Sequence, residues 1–143
     1  MKIRGWLFVV VMGLSGCASN SPHHGVVRGT ATYDGPLELS PDAVFEAVLE
    51  DVSLADVAAT RVSSNRLDPA GSPPFRFEII YDRKIIDPRH RYAVRARVTD
   101  GDRTILTSDT VYPVLTDGAG DTVKIALRRV VSASEGNPAD ASP

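Results

Sequence analysis

Cys17 is the only cysteine in a chain of 143 residues. No internal disulfide can form, and a lone thiol in an exported protein needs chemistry of its own. The other candidates for chemistry are sparse. His23 and His24 are adjacent, His90 stands alone, and none has a Cys or second His at metal-ligand spacing. No metal site is expected. The pattern Gly-x-Ser-x-Gly is absent, so no nucleophile elbow is present. Glu50 and Asp51 offer neighbouring carboxylates, but adjacent residues on a strand point to opposite faces and would not converge on one substrate. Asp51 is expected to accept hydrogen bonds from nearby backbone or from Ser53 in a strand-end turn. These residues exclude no chemistry singly; together they predict a protein with no catalytic residue and no cofactor.

A basic row is the remaining candidate. Arg91, Arg95 and Arg97 fall on the outward face of one predicted strand, with Arg83, Lys84 and Arg89 just before it. Such a strip suits phosphate or carboxylate groups held bidentately, as on lipid A, an anionic headgroup or an acidic partner. The competing reading pairs these arginines with Glu46, Glu50, Glu78 or Asp82 on neighbouring strands, each pair contributing about a kcal/mol or less. Tyr33, Tyr81, Tyr92 and Tyr112 could stack on sugars, but three of them belong to apolar rows or strand ends, which favours packing.

The N-terminus bears on the compartment. Met1-Lys2-Ile3-Arg4 is a short cationic start, and Trp6 to Leu14 is an apolar run too short for a bilayer core, which takes roughly 20 helical residues. It fits the hydrophobic region of a secretory signal over residues 1–16. The run closes in Leu14-Ser15-Gly16-Cys17, which resembles the lipobox read by lipoprotein-maturation enzymes. That resemblance implies diacylglycerol on the Cys17 sulfur, cleavage between Gly16 and Cys17, and acylation of the new amine by palmitate or a similar chain. Two acyl chains already hold a protein stably on a bilayer, at about 0.8 kcal/mol per buried methylene. Ala18 stands where an Asp often marks inner-membrane retention in lipoproteins, so the outer membrane is expected, with the domain facing the periplasm.

Charge excludes one class of partner. The chain has 16 Lys and Arg against 18 Asp and Glu, and Lys2 and Arg4 fall within the expected signal. That acidic balance argues against a general nucleic-acid binder, whose affinity comes from clustered Lys and Arg releasing phosphate counterions. Residues 17–24 are small and polar and read as a lipidated tether; residues 132–143 read as a disordered tail. The domain between them, residues 25–131, is long enough for a workable core without metal or disulfides.

Within that domain the hydrophobic period is two. Phe75, Phe77, Ile79 and Tyr81 alternate with Arg76, Glu78, Ile80 and Asp82, Tyr92, Val94, Ala96 and Val98 with Arg91, Ala93, Arg95 and Arg97, and Val123, Ile125 and Leu127 with Thr122, Lys124 and Ala126. Each first-named set faces a core. Residues 41–51 fit either a helix begun at Pro41-Asp42 or a strand with Phe45, Ala47 and Leu49 inward; the β-branched sequence after Asp51 favours the strand. Asp34-Gly35-Pro36, Asp68-Pro69-Ala70-Gly71, Asp87-Pro88 and Asp117-Gly118-Ala119-Gly120 are turn chemistries. Thr99-Asp100-Gly101-Asp102, between two alternating runs, predicts a hairpin. Strands at such spacing predict a single all-β domain, an antiparallel β-sandwich of about seven strands in the immunoglobulin or transthyretin manner, or else a small barrel.

Particular strings carry a resemblance: Leu49-Glu50-Asp51-Val52-Ser53 with Ala55-Asp56, Pro74-Phe75 through Tyr81-Asp82, Ile86-Asp87-Pro88, Tyr92 to Arg97, and Tyr112-Pro113-Val114-Leu115. In this order, behind a lipobox, the chain resembles the YbaY-like lipoproteins grouped with the YscW-type pilotins, the secretion lipoprotein chaperones. The resemblance spans about residues 25 to 131. It implies a β-sandwich lipoprotein of the cell envelope without a catalytic site. Pilotins of this type bind the end of a secretin subunit and help it reach and assemble in the outer membrane. The expected function is a membrane-anchored, non-enzymatic lipoprotein whose β domain binds an envelope protein, a secretin-like one included, as an added strand or as a helix in a groove. The alternative is a structural or stress-related lipoprotein that contacts lipopolysaccharide or envelope polysaccharide through Arg91, Arg95 and Arg97.

Overall fold

A computed structural model describes residues 23–130. Cys17, the expected cleavage point after Gly16, the signal and the C-terminal tail lie outside the described residues. Eight strands run β1 (His24–Tyr33), β2 (Val44–Asp51), β3 (Thr60–Leu67), β4 (Phe75–Asp82), β5 (Tyr92–Asp100), β6 (Arg103–Ser108), β7 (Tyr112–Val114) and β8 (Thr122–Arg129). A 3-10 turn, Arg83–Ile85, follows β4. The ambiguous segment is a strand, with Phe45, Ala47 and Leu49 fully buried. The hairpin stands where expected: Asp100 pairs with Arg103, and Gly101 at φ 56° takes the first turn position, a conformation that costs glycine little. His24, read from sequence as the end of the tether, already pairs with Asp82.

The all-β expectation holds, but two features of the expected sandwich do not. The strands form one continuous sheet in the order β3-β2-β5-β6-β8-β1-β4, with β7 also on β5. A sandwich leaves its two sheets unbonded along both flanks. Here the β6–β8 ladder, Leu106 opposite Arg129 to Ser108 opposite Leu127, joins them along one flank. The sheet therefore rolls into a nearly closed barrel. Along the other flank β3 and β4 face each other without a ladder, and the Ser63 hydroxyl donates to the Ile80 carbonyl at 2.6 Å across that seam. The sheet is also not wholly antiparallel, because β1 and β8 pair in parallel from Arg28 opposite Thr122 to Tyr33 opposite Leu127.

The predicted alternating rows supply the core: Phe75, Phe77 and Ile79 from β4, Tyr92, Val94, Ala96 and Val98 from β5, and Val123, Ile125 and Leu127 from β8. Phe45 stacks on Phe75 with centroids 4.8 Å apart and lies 5.8 Å from Phe77. Room for these rings comes from β1, whose inward positions are small where aromatic residues stand opposite: Gly25 faces Tyr81, Gly29 faces Phe77 and Ala31 faces Phe75. A Cβ on Gly29 would lie 2.2 Å from the Phe77 ring.

The topology sorts the loops between two ends of the barrel. One end collects the chain entry at His23, the β2–β3 loop (residues 52–59), the β4–β5 loop (residues 83–91) and the β7–β8 turn (residues 115–121). The other collects the β1–β2 and β3–β4 loops and the hairpin turn at Gly101-Asp102.

Candidate binding groove

At the first end, β2 finishes beside the start of β5, with Asp51 opposite Tyr92. Asp51 fastens the loops that follow. Its carboxylate accepts from the Ser53 amide at 3.0 Å and the Ser53 hydroxyl at 2.5 Å, and lies 2.6 Å from His90 Nδ1. The Ser53 hydroxyl in turn accepts from the Arg91 amide at 2.9 Å, and the Val52 amide donates to the Arg91 carbonyl at 2.8 Å. Burial pushes the Asp51 pKa up, but the bonds from Ser53 and His90 outweigh it and leave the carboxyl below its ordinary range. Serine, histidine and aspartate thus meet, although not as a catalytic triad. The aspartate sits in the middle and holds both partners, whereas nucleophilic activation needs the histidine there, bonded to the serine. The expectation that Asp51 bonds locally to Ser53 is met, and Glu50 points to the other face.

Beside this hub opens a groove of about 660 Å³. Ala93 and Arg91 of the β5 region lie at its base, Val52 and Ala55 of the β2–β3 loop form one wall, and Val111 and Pro113 form the other. Val111 is exposed in the short excursion between β6 and β7, both of which pair with β5. The turn Thr116–Ala119 closes the groove. Its backbone is unusual: Leu115 has φ 69° and Asp117 φ 55°, left-handed conformations that cost a branched residue such as leucine about 1–2 kcal/mol. Bonds from Leu115 N to the Gly120 carbonyl at 2.9 Å and from Ala119 N to the Thr116 carbonyl at 3.0 Å hold it there. An apolar trough of this size, flanked by Arg91 and by Asp117 of the closing turn, suits a peptide segment or similar ligand.

Arg95 and Arg97 lie on the outward face of β5 and Arg91 just before it, and most of this row is paired. Arg97 contacts Glu46 at 2.5 Å, and Arg61 reaches the same carboxylate at 2.7 Å. Burial raises the Glu46 pKa, and the two guanidiniums more than reverse it, so the carboxyl lies below its usual range. Arg95 Nε lies 3.1 Å from Glu50 Oε2 but outside hydrogen-bond geometry, and that oxygen is buried without a hydrogen-bond partner among the described residues. Arg89 pairs with Asp87, whose carboxyl is held well below the usual carboxylate range by the Arg89 guanidinium and amide. Arg91 stands apart. Among the described residues it has no carboxylate within ion-pair distance; its guanidinium donates to the Ser53 carbonyl at 3.5 Å and lines the groove.

The tyrosines are structural. Tyr92 is buried and accepts from the Asp87 amide at 3.0 Å. Tyr112 donates to Asp109 at 2.5 Å and accepts from the Ala126 amide at 2.8 Å; burial and the Asp109 bond push its phenol up. Tyr81 packs over Gly25, and Arg129 lies over the Tyr33 ring at 5.9 Å. Among the described residues, no group of three His, Cys, Asp or Glu side chains is placed to hold a metal ion. The sequence reading missed the groove, because its lining comes from separate segments. The one available signal was Val111, an apolar residue in an otherwise polar stretch, Ser108-Asp109-Thr110.

Comparison with known proteins adds three findings. The model of the family described as "Type III secretion system lipoprotein chaperone (YscW)" matches residues 22–127. An uncharacterized lipoprotein of Escherichia coli strain K12, YbaY, is 31% identical over 93 residues, covering 64% of this chain and 49% of the relative; the match spans about half of that protein's length. An alternative pilotin from the type II secretion system of Vibrio cholerae superposes with a TM-score of 0.71 at 32% identity, over 76% of this chain and 98% of the pilotin.

Proposed function

From a chain that belongs to the YscW family of secretion lipoprotein chaperones, we propose a non-enzymatic envelope lipoprotein whose barrel holds an apolar segment of a partner protein in the groove between the β2–β3 loop and β7. The observation that carries this reading is the groove itself, apolar along Val52, Ala55, Val111 and Pro113, with Arg91, which has no carboxylate partner among the described residues, at its base. A partner segment would bury its apolar side chains there and set a carboxylate against Arg91. The pilotin likeness supports an envelope partner, a secretin-like protein among the candidates. Lipidation at Cys17, after cleavage behind Gly16, would place the domain at the periplasmic face of the outer membrane. The family likeness and the Asp51-centred arrangement both support the absence of catalysis.

The test is affinity capture from envelope extracts with the lipidated protein and with Val111→Glu. Val111 lies outside the core cluster, so this variant keeps the fold while placing a charge in the trough. One protein enriched by the parent and lost with Val111→Glu is the expected result. A capture pattern identical for both would overturn the groove as the docking site.

A second reading, contact with lipopolysaccharide or envelope polysaccharide, draws on the three guanidiniums of Arg91, Arg95 and Arg97 along one face. It requires Arg95 and Arg97 to leave Glu50 and Glu46. Arg95→Ser with Arg97→Ser should then weaken binding and flatten its salt dependence; unchanged affinity would remove this reading.

A further inference from the structure

The end of the barrel where the chain enters is built differently from the other end. The β2–β3 loop runs Leu54-Ala55-Asp56-Val57-Ala58-Ala59, and every one of these residues is exposed. Leu54 is 68% exposed, Val57 60%, and Ile85 in the neighbouring β4–β5 loop 54%. Three of the six large apolar residues exposed among the described residues therefore crowd the loops of one end; Ile80 and Val111 lie on the barrel wall, and Val130 at the far end. The same β4–β5 loop exposes Arg83, Lys84, Arg89 and Arg91. Asp56, Asp87, Asp117 and Asp121 share this end, so its loops are balanced in charge. The loops of the opposite end carry Asp34, Glu38, Asp42, Asp68 and Asp102 and no lysine or arginine. Arg66 pairs with Asp68 and Arg129 reaches the Pro36 carbonyl at that far end, so its acidic loops are only partly neutralised, and an anionic surface favours the balanced, apolar end.

Chain length selects the same end. The His23 carbonyl accepts from the Arg83 amide at 2.8 Å, which fixes the chain entry beside the β4–β5 loop. Cys17 is six residues before His23, a reach of about 20 Å when fully extended. The ten residues of β1 rise about 33 Å to the opposite end. A chain anchored through Cys17 is too short to let the domain stand inverted on its acidic loops.

We infer that the exposed loops around Leu54, Val57 and Ile85 seat on the phospholipid surface, so that the domain stands on its membrane rather than trailing from a leash. The seating rests on the reading of Cys17 as a lipid anchor. Apolar side chains enter the headgroup boundary while Arg83 and Lys84 meet lipid phosphates. The proposed partner groove lies at the same end but uses other side chains, Val52, Ala55, Val111 and Pro113.

The only tryptophan in the chain is Trp6, within the expected signal, so single tryptophans report cleanly in the processed protein. The lipidated full-length product, reconstituted in vesicles of phosphatidylethanolamine and phosphatidylglycerol, is prepared as Val57→Trp, Ile85→Trp and, at the far end, Asp42→Trp. All three positions are exposed. Flotation with the vesicles reports the anchor, and quenching by acyl-brominated lipid reports the seating. The expected result is flotation of all three, with at least about a twofold loss of emission at 57 and 85 and none at 42, as for side chains at the headgroup boundary. Flotation without quenching at 57 and 85 would overturn the seating and leave the anchor standing. Failure to float would overturn the anchor reading and the seating with it. Emission that resists brominated lipid but shifts when an envelope protein is added would also overturn it, assigning the loops to a protein partner.

Discussion

Gly29→Ala is a substitution of one methyl group whose cost can be worked from the packing. The new Cβ would lie 2.2 Å from Phe77 Cζ and 2.7 Å from both ring Cε atoms, against about 3.5–4.0 Å for comfortable carbon contacts. Phe77 is 3% exposed and its ring lies beside Phe45, itself fully buried and stacked on Phe75. The ring cannot move without displacing that stack. Overpacking of this kind costs about 1–3 kcal/mol. Replacing glycine by alanine returns about 0.4–1 kcal/mol through the unfolded chain. The net expectation is a loss of about 1–2 kcal/mol, which lowers the melting temperature of a domain this size by about 4–16 °C. Urea titration gives the free energy directly, with an unchanged slope if only stability changes. The decisive comparison adds Phe77→Leu, which vacates the space the methyl group needs. The double variant should be more stable than the sum of the singles by about 1 kcal/mol or more. Additive singles, or a Gly29→Ala protein as stable as the parent, would refute the argument that β1 is small because the aromatics opposite are large.

Three further outcomes follow from the ion pairs and the hub. Glu46 and Asp51 both have folded pKa values below their unfolded ones. The unfolded chain therefore binds more protons as pH falls below about 4, and the stability these groups contribute at neutral pH is lost through that window; urea midpoints across it should fall less steeply in Glu46→Gln and in Asp51→Asn. Because Arg61 and Arg97 share Glu46, whose side chain is only 12% exposed, either arginine replaced alone by serine should cost under about 1 kcal/mol, whereas both together should cost about 2 kcal/mol or more; strict additivity in urea melts would contradict that redundancy. Ser53→Ala removes a hydroxyl that joins Asp51 to the Arg91 amide, and should speed amide exchange at Arg91 with a global loss of about 1 kcal/mol; unchanged protection there would show that the hub does not fasten the loops.

How legible the fold was in the sequence depended on what each strand buries. Strands β4, β5 and β8 announce themselves because large apolar residues occupy every second position on one face. Strand β1 is hidden because its inward row contains Gly25, Gly29 and Ala31, residues chosen for their smallness and carrying little hydrophobic signal. Strand β3 is hidden for another reason. Ser63 and Asn65, in register with Leu49 and Ala47, face inward beside the unladdered seam, where the core needs less apolar surface. The period of two fixes a face but not a neighbour, so neither the parallel β1–β8 pair nor the β6–β8 junction was readable. At the site, the local Asp51–Ser53 turn was legible because its partners are two residues apart. The pairing of Arg95 and Arg97 with Glu50 and Glu46 was foreseen as one of two readings, and the register of β2 against β5 decides it. The groove was not, since Ala55, Ala93 and Val111 meet only after β7 joins β5.

The line along which β3 and β4 meet without a ladder makes the protein mechanically a split cylinder. Closed tubes resist torsion strongly because shear must cross every bond around the circumference; a lengthwise slit removes that continuity. Twisting here can be taken up by sliding β3 past β4, at the expense of contacts such as Ser63 to Ile80, while the ladders from β2 round to β1 stay intact. The compliance is confined to one generatrix of the barrel, and the β6–β8 junction on the other flank serves as its spine.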